Sequence, residues 1–298
     1  MSPDGVLVVD KPGGATSHDI VAQARRIFGT REVGHAGTLD PMATGVLLLL
    51  FGEATKLSNF LTRDTKRYRA TVSFGRATDT LDADGTTTAE AAISPQDLTE
   101  SAVDAALDSE RARVRQVPPA VSAIKVMGRR AYALTRAGNA PELAERDVKV
   151  EELSVLSRTP NELTLELSVS KGYYVRALAR DLGASLGVPA HLGALRRLAS
   201  GQFQLSEACH WPPDAETRLI GTAEAAQRTL PAAQLGESGL RRARLGQALE
   251  VGDFSARPDV PLGVSEAWFS ANGELVALGE QRSSGEFRVS RGFRSTTS

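Results

Sequence analysis

One loop concentrates the residues able to do chemistry. Gly34-His35-Ala36-Gly37-Thr38-Leu39-Asp40-Pro41-Met42-Ala43-Thr44-Gly45 sets a single carboxylate among three glycines and two threonines. Glycines let a bulky ligand approach the backbone, and a carboxylate presented there can act as nucleophile or base. The same residues also suit a tight turn in which Asp40 caps local N–H groups and Pro41 stiffens the exit. Spacing leaves both readings open. The loop lacks the Gly-Lys-Ser/Thr ending of a P-loop and the spaced glycines of a dinucleotide turn.

Arg176 opens a helical pattern directly after a strand that ends at Lys171-Gly172. Beside a buried carboxylate, an arginine keeps the acid ionised and aims it. On a surface it would form an ordinary salt bridge. Sequence distance does not decide whether it meets Asp40. All four tyrosines lie within two residues of a Lys or Arg: Tyr68, Tyr132, Tyr173 and Tyr174. Basic groups hold phosphates while an aromatic face stacks on an unstacked base. Core packing is the competing role, and it is the preferred one for Tyr132.

These residues need elements to hold them. Gly5 to Asp10 is a short apolar run closed by Lys11-Pro12-Gly13-Gly14, which predicts a buried strand and a turn. Thr16 or Ser17 can cap a helix with Ile20, Val21, Ala24, Ile27 and Phe28 on one face. The Asp40 loop leads into an apolar strand from Val46 to Phe51. Residues 54–62 read as a second amphipathic helix. Residues 66–75 alternate, with Tyr68, Ala70, Val72 and Phe74 facing in and Arg67, Arg69, Thr71 and Ser73 facing out. Residues 147–156 pair with a strand bearing Leu163, Leu165, Leu167 and Val169 through a turn at Pro160-Asn161. A helix with Val175, Leu178, Leu182 and Leu186 inward follows.

The pattern predicts an α+β (mixed α/β) core through about residue 200. From about 240, short strand-like pieces between Gly, Pro and Asn-Gly predict a small all-β unit. The boundary is expected within 212–238, giving domains 1–235 and 236–298.

Bulk composition narrows the function classes. The chain has 298 residues, a formal charge of −1, 5% aromatic residues, one cysteine and four histidines. Cys209 can form no internal disulfide, and no histidine pair has metal-ligand spacing. The longest strongly apolar run, Val46 to Phe51, is too short to span a bilayer, and the N-terminus lacks a secretory pattern. A soluble cytoplasmic protein is the expectation. The near-zero charge conceals segregation: residues 77–110 hold nine acids and no base, and residues 111–136 hold seven bases and no acid. A basic block is either a solvated face or a phosphate-binding surface.

The loop, Lys66-Arg67-Tyr68 with Thr78-Asp79-Thr80-Leu81-Asp82-Ala83-Asp84-Gly85, Pro118-Pro119-Ala120-Val121-Ser122-Ala123-Ile124-Lys125, Ser170-Lys171-Gly172-Tyr173-Tyr174-Val175-Arg176 and Leu192 to Arg197 occur in one order. Together they resemble the motifs of the TruB family of tRNA pseudouridine synthases, which act on uridine 55 of the T loop. The resemblance covers about residues 5–210. The tail from about 240 is more weakly similar to a PUA-type RNA-binding domain. One departure is Val121, where the family usually has tyrosine.

The resemblance implies a pseudouridine-synthase catalytic domain with a central mixed, largely antiparallel sheet flanked by helices, and a small β-rich PUA-like domain. It implies tRNA (the T stem-loop) as partner, with no obligatory protein partner, no membrane, no metal and no cofactor. Asp40 would be the nucleophile or base, Arg176 its partner, and Tyr68 a stacking residue able to help remove the C5 proton. Tyr174 and Leu195 would line the base pocket, with Lys56 nearby. His35 would fill the space left by the flipped nucleotide. Gly34 and Thr38 belong to the same substrate-binding loop. Lys11, Arg67, Lys125 and the basic segment of about 111–150 would contact phosphates. Two alternatives are a non-catalytic RNA-binding or folding factor using the same surface, and a hydrolytic or nucleotide-dependent enzyme using the glycine-rich loop.

Overall fold

The computed structural model describes residues 3–94, 96–122, 125–126, 129–130, 141 and 143–294. Its main sheet uses β1 (Gly5–Lys11), β2 (Val33–Ala36), β3 (Thr44–Phe51), β4 (Lys66–Phe74), β5 (Val150–Arg158), β6 (Glu162–Val169), β7 (Ala190–Ser200), β8 (Phe203–Gln204) and β9 (Cys209–His210). The order is β5-β6-β4-β7-β3-β1-β9, with β2 paired to β3 and β8 to β7. The β3–β7 and β1–β9 pairs are parallel; the others are antiparallel. The mixed, largely antiparallel sheet expected for the catalytic core is therefore present.

The alternation read in the sequence of β4 holds. Ala70, Val72 and Phe74 are buried, Tyr68 is half-buried, and Arg67 and Arg69 are exposed. β1 and β3 carry continuous apolar runs because both faces of the sheet are covered. Leu7, Val9, Leu47 and Leu49 face one core, while Val6, Val8, Leu48 and Leu50 face another. The first core is closed by α1 (Ser17–Ile27), α2 (Glu100–Arg111) and α3 (Val175–Leu186).

The second core is closed from the C-terminal side. Strands β10 (Ala232–Leu235), β11 (Phe254–Ala256), β12 (Ser265–Phe269), β13 (Leu275–Gln281) and β14 (Phe287–Gly292) form a separate sheet. Ala267, Phe269, Leu275 and Leu278 from this sheet pack with Val6, Val8, Leu48 and Leu50.

Local details differ from the sequence reading. Thr16 caps α1 in a reciprocal pair with Asp19, but Ile27 is 50% exposed at the helix end rather than on the apolar face. Residues 54–62 are not one helix: a 3₁₀ segment, Gly52–Leu57, leads into a single α turn, Ser58–Leu61. Ala54, Leu57 and Leu61 still face inward. Among the described residues, no helix is long and apolar enough to cross a membrane.

Candidate active site

Asp40 lies in the connection between β2 and β3, and contacts distant in sequence hold that connection. The buried Ser17 hydroxyl accepts from the Leu39 N–H at 2.9 Å and donates to the Leu39 carbonyl at 3.2 Å. Lys11 donates to the carbonyls of Pro12, Ala15 and Pro41 at 2.8, 2.7 and 3.2 Å. Arg197 donates from Nε to Val46 O at 2.6 Å and from Nη2 to Gly37 O at 2.8 Å. Gly45 pairs with Arg197 across the parallel β3–β7 contact at φ 99°. A side chain there would overlap the Arg197 backbone, which is why glycine stands at this position.

Arg176, at the first turn of α3, meets Asp40. Its Nη2 donates to Asp40 Oδ1 at 3.1 Å, and its Nε lies 2.9 Å from Oδ2. The same guanidinium donates to Thr80 O at 2.7 Å and Val121 O at 2.9 Å, and it lies 3.6 Å from Asp82 Oδ2. Arg176 is thus held by four residues, Asp40, Thr80, Val121 and Asp82. Its side chain is 5% exposed while that of Asp40 is 33% exposed, so the acid presents an open edge. Removal from water pushes the Asp40 carboxyl above the usual aspartate range; Arg176 opposes this, Asp82 adds to it and Lys11 opposes it. The Val121 carbonyl takes part through its backbone, so its side-chain departure leaves this contact in place.

Asp40 and Arg176 divide two cavities. One, of about 260 Å³, is lined by Asp40, Thr38, Tyr68, Tyr174, Arg176 and Leu195, with Lys66 and Arg197 behind. The other, of about 690 Å³, also holds Thr38, Asp40 and Arg176, with His18, Asp82 and Ser122. Tyr68 and Arg197 are cross-strand partners in β4 and β7, and Leu195 follows the same face two residues earlier. Burial raises the Tyr174 hydroxyl. A larger groove of about 1070 Å³ shares Thr62, Lys171 and Gly172 with the first cavity and carries Arg63, Arg115 and Arg146.

Other sequence-predicted residues lie elsewhere. Lys11 is fully buried, so it cannot be the expected phosphate contact; its ammonium clamps loop carbonyls instead. Lys56 turns away from the cavity toward Glu53 at 2.5 Å, Gly292 O at 2.8 Å and the Phe293 ring. Its stem points there because the C-terminal strand β14 ends beside it. Gly34 lies in β2, outside the cavity walls. His35 packs edge-on against His18, ring centroids 5.2 Å apart. Arg67 is 48% exposed beside Glu166 at 3.8 Å, free to reach an external anion. The Lys125 side chain and Tyr132 lie outside the described residues, as does much of the 111–150 segment.

Tyr173 separates from its neighbour Tyr174. It is buried in the core and donates to Glu110 at 2.6 Å, which also accepts from Arg113 at 2.7 Å. Sequence reasoning missed Asp82, Gln116, Lys66, Arg197 and His18. Gln116 holds the Tyr174 backbone from both sides, accepting from its N–H at 2.8 Å and donating to its carbonyl at 3.2 Å. Asp82, Lys66 and Arg197 stood inside quoted motifs without being singled out; nothing local marked Gln116 or His18.

The mixed sheet thus holds a charge-positioned aspartate at the wall of a cavity that Tyr68 and Tyr174 line. The family model for the TruB family pseudouridylate synthase (N terminal domain) matches residues 25–175. A tRNA pseudouridine synthase B of Mycobacteroides abscessus is 43% identical over 285 residues, covering 93% of this chain and 92% of the relative. The Thermobifida fusca protein of that name is 42% identical over 290 residues, covering 94% and 95%. That of Mycobacterium avium is 52% identical over 212 residues, covering 70% and 68%. A chain from the crystal structure of a Cbf5-Nop10-Gar1 complex superposes with a TM-score of 0.73 at 25% identity, over 93% of this chain and 78% of that one. The chain belongs to the TruB family of pseudouridylate synthases.

Proposed function

We propose that the protein isomerises a single T-loop uridine of tRNA, position 55, to pseudouridine. The observation that carries this reading is the Asp40–Arg176 pair at the edge of a cavity walled by Tyr68, Tyr174 and Leu195. The relatives named tRNA pseudouridine synthase B support the substrate class. The reaction breaks the N1–C1′ bond, turns the base and joins C5 to C1′. It is redox-neutral and transfers nothing from a second molecule, so aspartate, arginine and tyrosine suffice for it.

The target base is flipped out of its loop to reach Asp40. Arg176 keeps Asp40 ionised and aimed, so Asp40 can start cleavage of the glycosidic bond as nucleophile or base. Tyr68 stacks on the uracil and is placed to assist proton removal at C5, while Tyr174 and Leu195 bound the ring. Thr38 lines both cavities, and Arg67 with the Arg63, Arg115, Arg146 and Lys171 groove holds flanking phosphates. The catalytic part ends before β10 and a PUA-like RNA-binding part follows, because Ala232–Leu235 pairs in the C-terminal sheet, a few residues ahead of the 235/236 boundary expected from the sequence. The reading carries with it a cytoplasmic location and no need for a protein partner.

Asp40→Asn tests it. Pseudouridine is mapped in a T-loop transcript treated with the purified protein. Wild type should yield it at one loop uridine, and Asp40→Asn should yield none while tRNA binding stays within a few-fold. Product from Asp40→Asn would refute the role of Asp40. Binding without product in the wild type would instead favour the RNA-folding alternative.

A further inference from the structure

Three cations are buried around the Asp40 loop without an ion pair. Lys11 is 0% exposed, Arg197 1% and Lys66 6%. Among the described residues, no carboxylate lies within ion-pair distance of any of them, whereas Arg176 has both Asp40 and Asp82 nearby. Asp40 and Asp64 act on Lys11 and Lys66 only from longer range. Burying a charge without a counter-ion is costly unless something else is gained from its placement. Arg176, Arg197, Lys66 and Lys11 thus gather around Asp40 and Asp82, with Asp64 and Asp19 acting from farther off.

The donors are arranged to match. The Lys66 ammonium is spent on the carbonyls of Leu61, Thr62 and Asp64 at 3.3, 3.0 and 2.6 Å. Arg197 uses Nε and Nη2 on carbonyls. Its Nη1 lies 3.3 Å from where a Gly37 Cβ would sit, so glycine keeps that edge of the guanidinium clear. Arg197 and Lys66 both border the 260 Å³ cavity, and Tyr68 stands across the strand pair from Arg197. Burial and the nearby Arg197 hold Lys66 at about 8, so it still carries its charge at neutral pH.

We propose that Arg197, backed by Lys66 and Lys11, is an electropositive floor that stabilises the negative charge on uracil as its glycosidic bond breaks. This rests on the cavity being the uridine site. When N1–C1′ breaks, the bonding pair stays on N1, and the detached ring carries one negative charge spread over N1, O2 and O4. C5 then bonds to C1′ with a ring electron pair, its proton passes to a base, and N1 takes a proton. The product is an isomer of the substrate, and the charge on the ring exists only in between. A fixed cation in a site shielded from water is far more effective against such transient charge than one in water.

The test compares leaving groups. Two T-loop RNAs, one with uridine and one with 5-fluorouridine at the reacting position, are given in excess enzyme to wild type, Arg197→Met, Arg197→Lys and Lys66→Met. Loss of the starting nucleoside is followed after nuclease digestion. 5-Fluorouracil is the more acidic leaving group and needs less help. Arg197→Met should slow uridine conversion on the order of a hundredfold at saturating enzyme, with little change in half-saturation. Its effect on 5-fluorouridine should be several-fold smaller. Arg197→Lys should recover part of the loss, and Lys66→Met should show the same selectivity more weakly.

Because two substrates are compared on one protein, a partly unfolded variant lowers both rates without changing their ratio. Equal slowing of the two RNAs, or a defect confined to half-saturation, in all three variants would overturn the proposal while leaving the uridine reading intact. A wild type that converts neither RNA would overturn both.

Discussion

At Asp40, desolvation competes with charge. Burial favours the protonated acid, and the Arg176 guanidinium on its two oxygens favours the carboxylate. A reaction that needs ionised Asp40 loses rate as pH falls through its folded-state pKa. Since that pKa is raised, the acid limb of kcat/KM should lie above the range of an ordinary aspartate. Arg176→Gln removes the largest opposing influence, so the limb should move further up in pH in addition to any loss of rate. A pH profile on a short T-stem-loop RNA checks this; an unmoved acid limb would mean that Arg176 does not control the ionisation. Asp40, Tyr68 and Arg176 were legible as candidates because their types and flanking residues are unusual. Lys11 and Lys56 were misjudged because a lysine carries its charge on a long stem, and the stem follows whatever packs beside it.

Strands β4 and β7 build most of the cavity wall, and their register decides what it contains. Period-two alternation was visible in β4, so the inward face bearing Tyr68 was readable. That Arg197 stands opposite Tyr68 depends on pairing with β7, including two register shifts. Gly45 shows how tight the neighbouring contact is. Gly45→Ala would place a Cβ against the Arg197 backbone at a left-handed φ, and it should lower stability by about 3 kcal/mol. Denaturant unfolding of the variant checks the magnitude; an effect below about 1 kcal/mol would mean that β3 and β7 can part at little cost. The misread 54–62 segment has the right inward residues, because a short 3₁₀ piece and an α turn can bury the same spacing.

Over the whole molecule, the charge that matters is local. The net −1 includes acids beside bases, yet the groove joined to the cavity carries Arg63, Arg115, Arg146 and Lys171 together with Glu145 and Asp147. RNA affinity should therefore fall with salt. Arg67→Ala should reduce the slope of log affinity against log salt by about 1, whereas Lys11→Met should leave it unchanged. Titrations of tRNA at several salt concentrations distinguish the two. A Lys11 effect equal to that of Arg67 would contradict its burial. The two sheets also share one core through Leu48, Leu50, Phe269 and Leu275, so the C-terminal strands brace the catalytic sheet.

The sequence by itself determined the chemistry on offer: one aspartate in a glycine-rich loop, basic tyrosine segments, alternating strands and no cysteine pair. Each of these is a matter of residue type and local period. Tertiary structure alone decided that Arg176 reaches Asp40 from 136 positions away, and that the Tyr173 hydroxyl is tied to Glu110 in the core while Tyr174 next to it is held through its backbone by Gln116. It also decided which cations, among the described residues, are buried without an ion pair. Those outcomes depend on strand order, crossover and register. Such non-local contacts are set by how covered faces stack, and a local pattern does not encode which distant partner will cover it.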